Sequence, residues 1–287
     1  MQRSSPTVWR RWLAFELRRL RSDAEMSQQE VAKVFGRSTA KVSYIENAQQ
    51  NISTEDLERL LQLYEVPEDK RPAFVDAAKN SRQKGWWERY DRRMVPDWLS
   101  LYVGLEQGAS QLRVYEPLVI EGLLQTPDYH AALLRGEIVP RTEKQIAEIV
   151  ELRTKRQDAV TRDEDPLELW VTLTEAALRL EVGGPEIMRA QLAHLADMAA
   201  LPNVTVQIIP FSHGAHVGTR GAFKILDFGW EGDPGVVLIE CRSGGLYLEA
   251  PHEIDEHTLA FQHLAAIALP PRQSAKMIRD TGKDIAT

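Results

Sequence analysis

The stretch SQQEVAKVFGRSTAKVSYIENA, residues 27–48, contains two short segments of helical periodicity on either side of Gly36. Ser27 stands three residues before Glu30, the spacing at which two side chains cap the start of a helix reciprocally. The apolar residues that follow share one helical face, and Gly36 then allows the backbone a tight turn. The sequence therefore predicts a short helix that ends at a glycine turn.

A second short helix is predicted from Thr39 to Glu46. Ser38 is placed to cap it, and Val42 and Ile45 face inward at a spacing of three. Two short helices joined by a glycine-containing turn are typical of a helix-turn-helix, in which the second helix enters the major groove of DNA. This segment is therefore the predicted recognition helix.

The side chains of this helix that do not face the core are predicted to contact DNA. Thr39 and Ala40 offer methyl groups to thymine, and Lys41 can donate to guanine or to a phosphate. Ser43 and Tyr44 complete the exposed face, and Tyr44 is long enough to reach a base edge or the backbone. None of these side chains makes the bidentate pairs that fix a base strongly, so DNA shape is expected to supply part of the selectivity.

Basic residues around this stretch are candidates for phosphate contact. A helix predicted over residues 9–21 has its apolar side chains on one face. Arg18 and Arg19 lie mostly elsewhere and are predicted to bind phosphates, with ordinary solvation as the alternative. Arg37 and Ser38, at the turn, complete the predicted set of DNA contacts.

The charge of the chain is unevenly distributed. The net charge is −7, yet residues 1–45 hold nine Lys and Arg against four Asp and Glu, a net of +5, which leaves −12 for the remainder. This asymmetry favours a basic DNA-reading region joined to an acidic body. Chance clustering on a solvated helix face is the alternative.

Length and composition predict two globular domains in a cytoplasmic protein. A chain of 287 residues can bury two cores, and its 43% hydrophobic and 27% charged residues are ordinary values. The single cysteine excludes an internal disulfide and a Cys-rich zinc site. The charged N-terminal segment lacks the apolar run of a signal peptide, and no stretch reaches the length of a membrane helix.

Part of this pattern is similar to a known family. The matching residues are Ser27-Gln28, Glu30-Val31-Ala32, Gly36, Ser38 and Val42-Ser43-Tyr44-Ile45-Glu46. In these residues the chain resembles the lambda-repressor-like, or XRE-type, DNA-binding domain. The resemblance implies that Gln28 meets a DNA phosphate and steadies the recognition helix. The family usually has Arg or Lys and then Gly after the glutamate, whereas Asn47 and Ala48 stand there in this chain.

The chain is predicted to divide into three parts. Residues 1–80 form an all-α, five-helix DNA-binding domain, and residues 113–287 form a second domain. Residues 81–112 form a connector rich in Trp and Arg, with a helix over residues 101–112 leading into the second domain. This connector is expected to dock the two domains, with its tryptophans covering apolar surface, and stacking on nucleic acid is the alternative.

From Val114 onward, helical and extended patterns alternate. Strands are predicted at residues 167–172, 204–209, 222–228, 236–241 and 246–249, with helices between and after them. Such an order indicates a mixed α/β domain in which helices pack on a mostly antiparallel sheet, so that the chain is α+β overall.

The second region also carries familiar phrases. They are YEPLVIEGLLQT (115–126), RTKRQ (153–157), TEAALR (174–179), VGGPEIMRAQLAHL (182–195), VTVQIIPF (204–211) and GTRGAFKILDF (218–228). In them the chain resembles a domain of uncharacterised activity that follows an XRE-type domain in many actinobacterial regulators. The resemblance implies an antitoxin-like regulator whose body senses a ligand, dimerises or binds a small protein encoded nearby. It also implies a likeness to the ADP-ribosyltransferase fold.

Few residues of the body point to catalysis or to a metal. His213 and His216 form an H-x-x-H pair, but zinc needs further ligands that no spacing supplies, so neither a metal nor a cofactor is predicted. Glu240, at a strand end, is the carboxylate that an ADP-ribosyltransferase would use, and a solvent-facing strand glutamate is the commoner alternative. Cys241 is predicted to be a buried small apolar residue. No catalytic residue is assigned.

Together these patterns favour a homodimeric transcriptional regulator that reads a pseudo-palindromic operator in double-stranded DNA. Its body is expected to respond to a small protein partner or a ligand, and no membrane association is expected. Two alternatives stay open. One is an ADP-ribosyltransferase-like enzyme that its DNA-binding head only targets. The other is a protein-interaction module that does not bind DNA.

Overall fold

A computed structural model describes residues 5–233 and 235–285. The chain divides into two compact units. The first comprises the residues up to Arg89 together with Ser100–Gly108, and the second comprises Tyr90–Leu99 together with the residues from Ala109 onward. The residues predicted to form a separate connector are thus shared between the two units.

The first unit contains the five helices expected of its N-terminal part. They are α1 (Pro6–Asp23), α2 (Gln28–Phe35), α3 (Thr39–Glu46), α4 (Thr54–Leu63) and α5 (Arg71–Asn80). Their apolar faces meet in one core, in which Leu17, Val31 and Leu57 are buried. Because the apolar residues recur at helical spacing, each helix can turn one face to this core and leave the other in water.

The helix predicted over residues 101–112 begins earlier and ends earlier. It is α6 (Asp97–Gly108), and the first strand, β1 (Gln111–Glu116), starts inside the predicted helical segment. This prediction was wrong at its C-terminal end because β1 pairs along both edges, with β2 (Glu168–Thr174) and with β4 (Phe223–Asp227). Ladder bonds on two sides override a local helical pattern.

The second unit is built on a sheet whose strand order is β3-β2-β1-β4-β5-β6. The remaining strands are β3 (Val204–Ile209), β5 (Val236–Cys241) and β6 (Gly244–Leu248). The pairs β1–β2 and β2–β3 are parallel, whereas β1–β4, β4–β5 and β5–β6 are antiparallel. This mixed sheet with its helices confirms the predicted α+β class.

Helices cover the sheet and one of its edges. They are α7 (Pro127–Arg135), α8 (Glu143–Thr161), α9 (Glu175–Arg179), α10 (Pro185–Met198), α11 (Pro251–Ile267) and α12 (Pro271–Asp284). The α11 residue Phe261 belongs to the same core cluster as Tyr115 of β1 and Ile225 of β4. At the β3 edge, the Ile208 carbonyl accepts from the backbone N–H of Leu269 at 2.8 Å, and the Ile208 N–H donates to Ser274 Oγ at 3.0 Å.

None of the helices in residues 5–233 and 235–285 combines the length and the apolar character needed to cross a bilayer.

Candidate nucleic-acid interface

The helix-turn-helix forms through the local signals that the sequence carries. The Ser27 side chain accepts from the Glu30 N–H while the Glu30 carboxylate accepts from the Ser27 N–H, which is a complete capping box. Gly36 ends α2 with φ 67°, a left-handed conformation that glycine adopts without a steric penalty. Ser38 then caps α3 by accepting from the Lys41 N–H at 3.2 Å.

The outer face of α3 is open to solvent. Val42 and Ile45 are buried in the core, while Tyr44 is 50% exposed. The other predicted groove residues are exposed or half-buried, namely Ser38, Thr39, Ala40 and Ser43. The structure thus brings Ser38 and the uncharged groove residues of α3 together on one accessible surface.

The buried carboxylate of Asp56 binds two of the predicted DNA contacts, Arg37 and Lys41. Asp56, in the first turn of α4, has a side chain that is 0% exposed. Lys41 Nζ lies 2.5 Å from its Oδ2, and Arg37 donates from Nη2 and Nε to its Oδ1 at 3.0 and 3.2 Å. Burial by itself would raise the pKa of the Asp56 carboxyl, but the hydrogen bonds from Lys41, Arg37 and Ser53 outweigh it and lower that pKa.

A second buried carboxylate, Glu46, ties α3 to α1 and α2. Its side chain is 2% exposed and accepts from Arg21 Nε at 2.7 Å and from Gln28 Nε2 at 2.8 Å. Arg18 Nη2 donates to the Glu46 backbone carbonyl at 2.6 Å and to Asn47 Oδ1 at 2.8 Å. Glu46 therefore pairs with an arginine inside the domain. Gln28 has a structural partner in addition to its predicted phosphate.

The remaining predicted phosphate contact, Arg19, lies on the exposed side of α1. Its Nη2 is 2.7 Å from Glu16 Oε2, and its Nη1 is 3.5 Å from Asp23 Oδ2. The Arg19 side chain is 52% exposed, and an ion pair that includes a side chain this open to water contributes little to stability. Arg19 is therefore accessible to a phosphate.

The exit from α3 keeps a left-handed turn although the glycine usual in the family is absent. Ala48 has φ 56°, and its N–H donates to the Ile45 carbonyl at 3.1 Å. An L-residue with a Cβ pays a steric penalty in this conformation. Alanine at position 48, where the family usually has glycine, therefore adds steric strain to a turn that is still left-handed.

Sequence reasoning missed the role of Asp56. Locally, Asp56 is a cap partner of Ser53, whose Oγ accepts from the Asp56 N–H at 3.1 Å. The residues that Asp56 binds are 15 and 19 positions away, beyond any local pattern. A signal did exist in the amphipathic pattern of α4, because Asp56 falls beside Leu57 on the buried face.

The connector tryptophans pack within their own units. In the first unit, Trp87 is buried against Gly85 and Gly104, where a Cβ at either glycine would come within about 3 Å of the indole. In the second unit, Trp98 lies over Gly245, and its backbone carbonyl accepts from the Tyr247 hydroxyl at 2.5 Å. These indoles cover apolar surface inside each unit.

The body contains a polar cluster that includes Glu240. Lys224, whose side chain is 10% exposed, lies 2.8 Å from Glu240 Oε1 and 3.3 Å from Glu121 Oε2. Strand alternation places Lys224 on the sheet face opposite Phe223, which belongs to the α11 core. Glu116, at the end of β1, faces the same side and interacts electrostatically with all three residues.

Two carboxylates of this cluster, Glu116 and Glu240, have pKa values that are shifted in opposite directions. Burial raises the pKa of Glu116 to about 7; Lys224 opposes this rise, and Glu121 and Glu240 add to it. The ion pair with Lys224 lowers the pKa of Glu240 to about 2 against the effect of burial. Glu240 is thus a lysine-bound carboxylate that is ionised at neutral pH, and Lys224 occupies one of its two oxygens.

The histidine and cysteine candidates do not assemble a reactive centre. His216 Nδ1 accepts from the Gly218 N–H at 3.2 Å, and the rings of His213 and His216 are 6.3 Å apart. In the described part of the chain, no three or more His, Cys, Asp or Glu side chains are grouped so that they could hold a metal ion. The prediction that Cys241 is buried was wrong: it is exposed, because β5 leaves the covered part of the sheet at its last residues.

Two sequence families match the chain. The one described as Domain of unknown function (DUF5753) matches residues 99–280, more than half of the chain. The one described as Helix-turn-helix domain matches residues 12–74, which include α2 and α3. No significant match was found among curated proteins or among solved structures. The second match supports a DNA-binding regulator of the XRE type.

Proposed function

The chain belongs to the DUF5753 family, and we propose that it is a sequence-specific DNA-binding transcriptional regulator. One observation carries this proposal. The recognition helix α3 presents Thr39, Ala40 and Tyr44 to solvent, while Glu46 and Asp56 fix its two ends to the other helices. A helix that is already held in place can enter a major groove without an added entropic cost of ordering.

The proposed contacts fall into two classes. Thr39, Ala40, Ser43 and Tyr44 read the groove, through methyl contacts to thymine, hydroxyl groups and DNA shape. Residues around that face bind the DNA phosphates, and these contacts make the affinity for DNA dependent on salt concentration. The residues assigned to them are Arg18, Arg19, Gln28, Arg37, Ser38 and Lys41.

The proposal extends to a homodimer on a pseudo-palindromic operator. One recognition helix covers only a short half-site, so two copies about one DNA turn apart would supply the affinity that a single small contact surface lacks. The body, residues 113–287, has a net charge of −9 and is assigned the binding of a small protein partner or ligand, as in antitoxin-like regulators. Such a signal changes DNA binding only if it favours one arrangement of the two heads over another.

A gel-shift titration with the DNA upstream of the protein's own gene tests the recognition helix. The variant Thr39→Ala with Tyr44→Ala should weaken binding by roughly tenfold or more, because two groove-facing contacts are removed. Leu259→Ala is the matched control, since it truncates a similarly exposed apolar side chain on α11. Equal affinities of the two variants for this DNA would remove α3 as the reading element.

A further inference from the structure

The contacts of Asp56 separate it from ordinary surface carboxylates. Its side chain is fully buried, yet both of its oxygens are bonded to cations that keep part of their surface in water. Lys41 is 29% exposed and Arg37 is 38% exposed. The preceding residue of the same helix, Glu55, forms a contrasting pair with Arg59 in which the two side chains are 68% and 53% exposed.

Burial makes this arrangement stiff and permanently charged. A carboxylate removed from water is stable only if its partners stay bonded to it, so Lys41 and Arg37 are confined near Asp56. The lowered pKa of Asp56 is consistent with a carboxylate that stays ionised at neutral pH. The three side chains together carry one net positive charge in place of the two that the cations have by themselves.

Further N–H groups remain on both cations after these bonds are made. An ammonium and a guanidinium each carry more donors than the ones used on Asp56. Lys41 belongs to α3 and Arg37 to the turn before it, so these spare donors lie beside the groove-facing side chains. Asp56 therefore sets both where the two cations are and how strongly they attract an additional anion.

We propose that Asp56 is a positioning residue that raises DNA sequence specificity by competing with phosphates for Lys41 and Arg37. This inference rests on the proposed DNA-binding function. Binding to arbitrary DNA is driven by phosphate neutralisation, which partly neutralised and confined cations support weakly. In the cognate complex the groove contacts of α3 hold the DNA where the spare donors of Lys41 and Arg37 can reach it. The consequence is a higher ratio of specific to non-specific affinity.

Fluorescence anisotropy of the full chain across a salt series tests this role. Wild type, Asp56→Asn and Glu55→Gln are titrated into the protein's own upstream DNA and into scrambled DNA of equal length. Asp56→Asn should bind scrambled DNA several-fold more tightly, steepen the plot of log affinity against log salt by about one ion, and lower the ratio of specific to scrambled affinity. Glu55→Gln makes the same change in net charge one residue away and should leave all three quantities close to wild type.

A second variant keeps the test decisive if Asp56→Asn folds poorly. Lys41→Gln should weaken binding to the upstream DNA severalfold and change the salt slope on scrambled DNA by well under one ion, because that charge is already balanced by Asp56. An equal loss of slope on both DNAs would make Lys41 an ordinary phosphate contact and overturn the proposal.

The outcomes also separate this inference from the proposed function. If wild type discriminates between the two DNAs while Asp56→Asn behaves as Glu55→Gln does, the role of Asp56 is refuted and DNA reading stands. If wild type binds both DNAs equally at every salt concentration, DNA reading and the role of Asp56 are refuted together.

Discussion

Among the described residues, the helical unit buries anions, whereas the sheet unit buries charges of both signs. In the helical unit the carboxylates of Asp56 and Glu46 are buried, and their cationic partners reach the surface. In the sheet unit Lys224 is nearly buried, and the more exposed of its partners, Glu240, is 44% exposed. The sign that each region shows to solvent thus depends on which member of an ion pair is inside.

This difference gives the charge asymmetry of the sequence a structural meaning. The count of +5 over residues 1–45 and −12 over the remainder describes composition only. Burying the anions of the helical unit leaves its cations available to a polyanion, whereas the body buries Lys224 and leaves the carboxylate of Glu240 44% exposed. DNA binding is therefore expected of the helical unit and not of the cluster around Lys224.

Among the substitutions that test this comparison, Glu46→Ala is expected to have the largest effect on stability. Removing one partner of a buried ion pair leaves Arg21 and Gln28 without their acceptor, so the helical unit should lose about 3 kcal/mol of unfolding free energy. Urea unfolding followed by circular dichroism measures this loss. Glu55→Ala, which removes an exposed carboxylate from α4, should stay within about 0.5 kcal/mol of wild type. Equal losses would show that burial of the anion does not distinguish the two sites.

A smaller effect is expected from Glu116→Gln in the body. With its pKa raised to about 7, folded Glu116 keeps a proton that the unfolded chain has released, so its contribution to stability is lost as pH rises toward and through that value. The unfolding free energy of wild type should therefore fall relative to the variant by on the order of 1 kcal/mol between about pH 5 and about pH 8.

Thermal unfolding at the two pH values measures this difference. Glu164→Gln, at an exposed position, is the control and should show a difference close to zero. A wild type that gains stability relative to Glu116→Gln as pH rises would contradict the assigned direction of the pKa shift.

The smallest effect is expected from Ala48→Gly at the exit from the recognition helix. Glycine relieves the left-handed strain at φ 56° but adds freedom to the unfolded chain, so the net gain should be about 0.5 kcal/mol. Glu46 and Asp56 keep their partners in this variant, so DNA affinity should not change. A loss of stability in the same unfolding assay would mean that the turn does not adopt the left-handed conformation in solution.

The parts of the fold that local chemistry dictates could be predicted from the sequence. The bounds of α3 follow from the Ser38 cap and from the inward spacing of Val42 and Ile45. The strands Val204–Ile209 and Val236–Cys241 follow from runs of β-branched residues that end at turns. In each case the signal lies within a few residues of the element that it defines.

The features that depend on distant partners could not be predicted. Residues 111–112 looked helical because strand pairing on both sides of β1 has no local signature. Cys241 was predicted to be buried because the sequence of an apolar strand does not show at which residue the packing over the sheet ends. The partners of Asp56 lie on α3 and in the turn before α3, and only the tertiary fold brings them to Asp56.

The central claim, that the helical unit reads DNA sequence, is tested most directly by the anisotropy of wild type alone. The protein's own upstream DNA and a scrambled duplex are compared at several salt concentrations. The account predicts tight binding to the upstream DNA that weakens steeply with salt, and a large preference over the scrambled duplex that persists as salt rises. Binding that is weak, insensitive to salt and equal for both duplexes would contradict it.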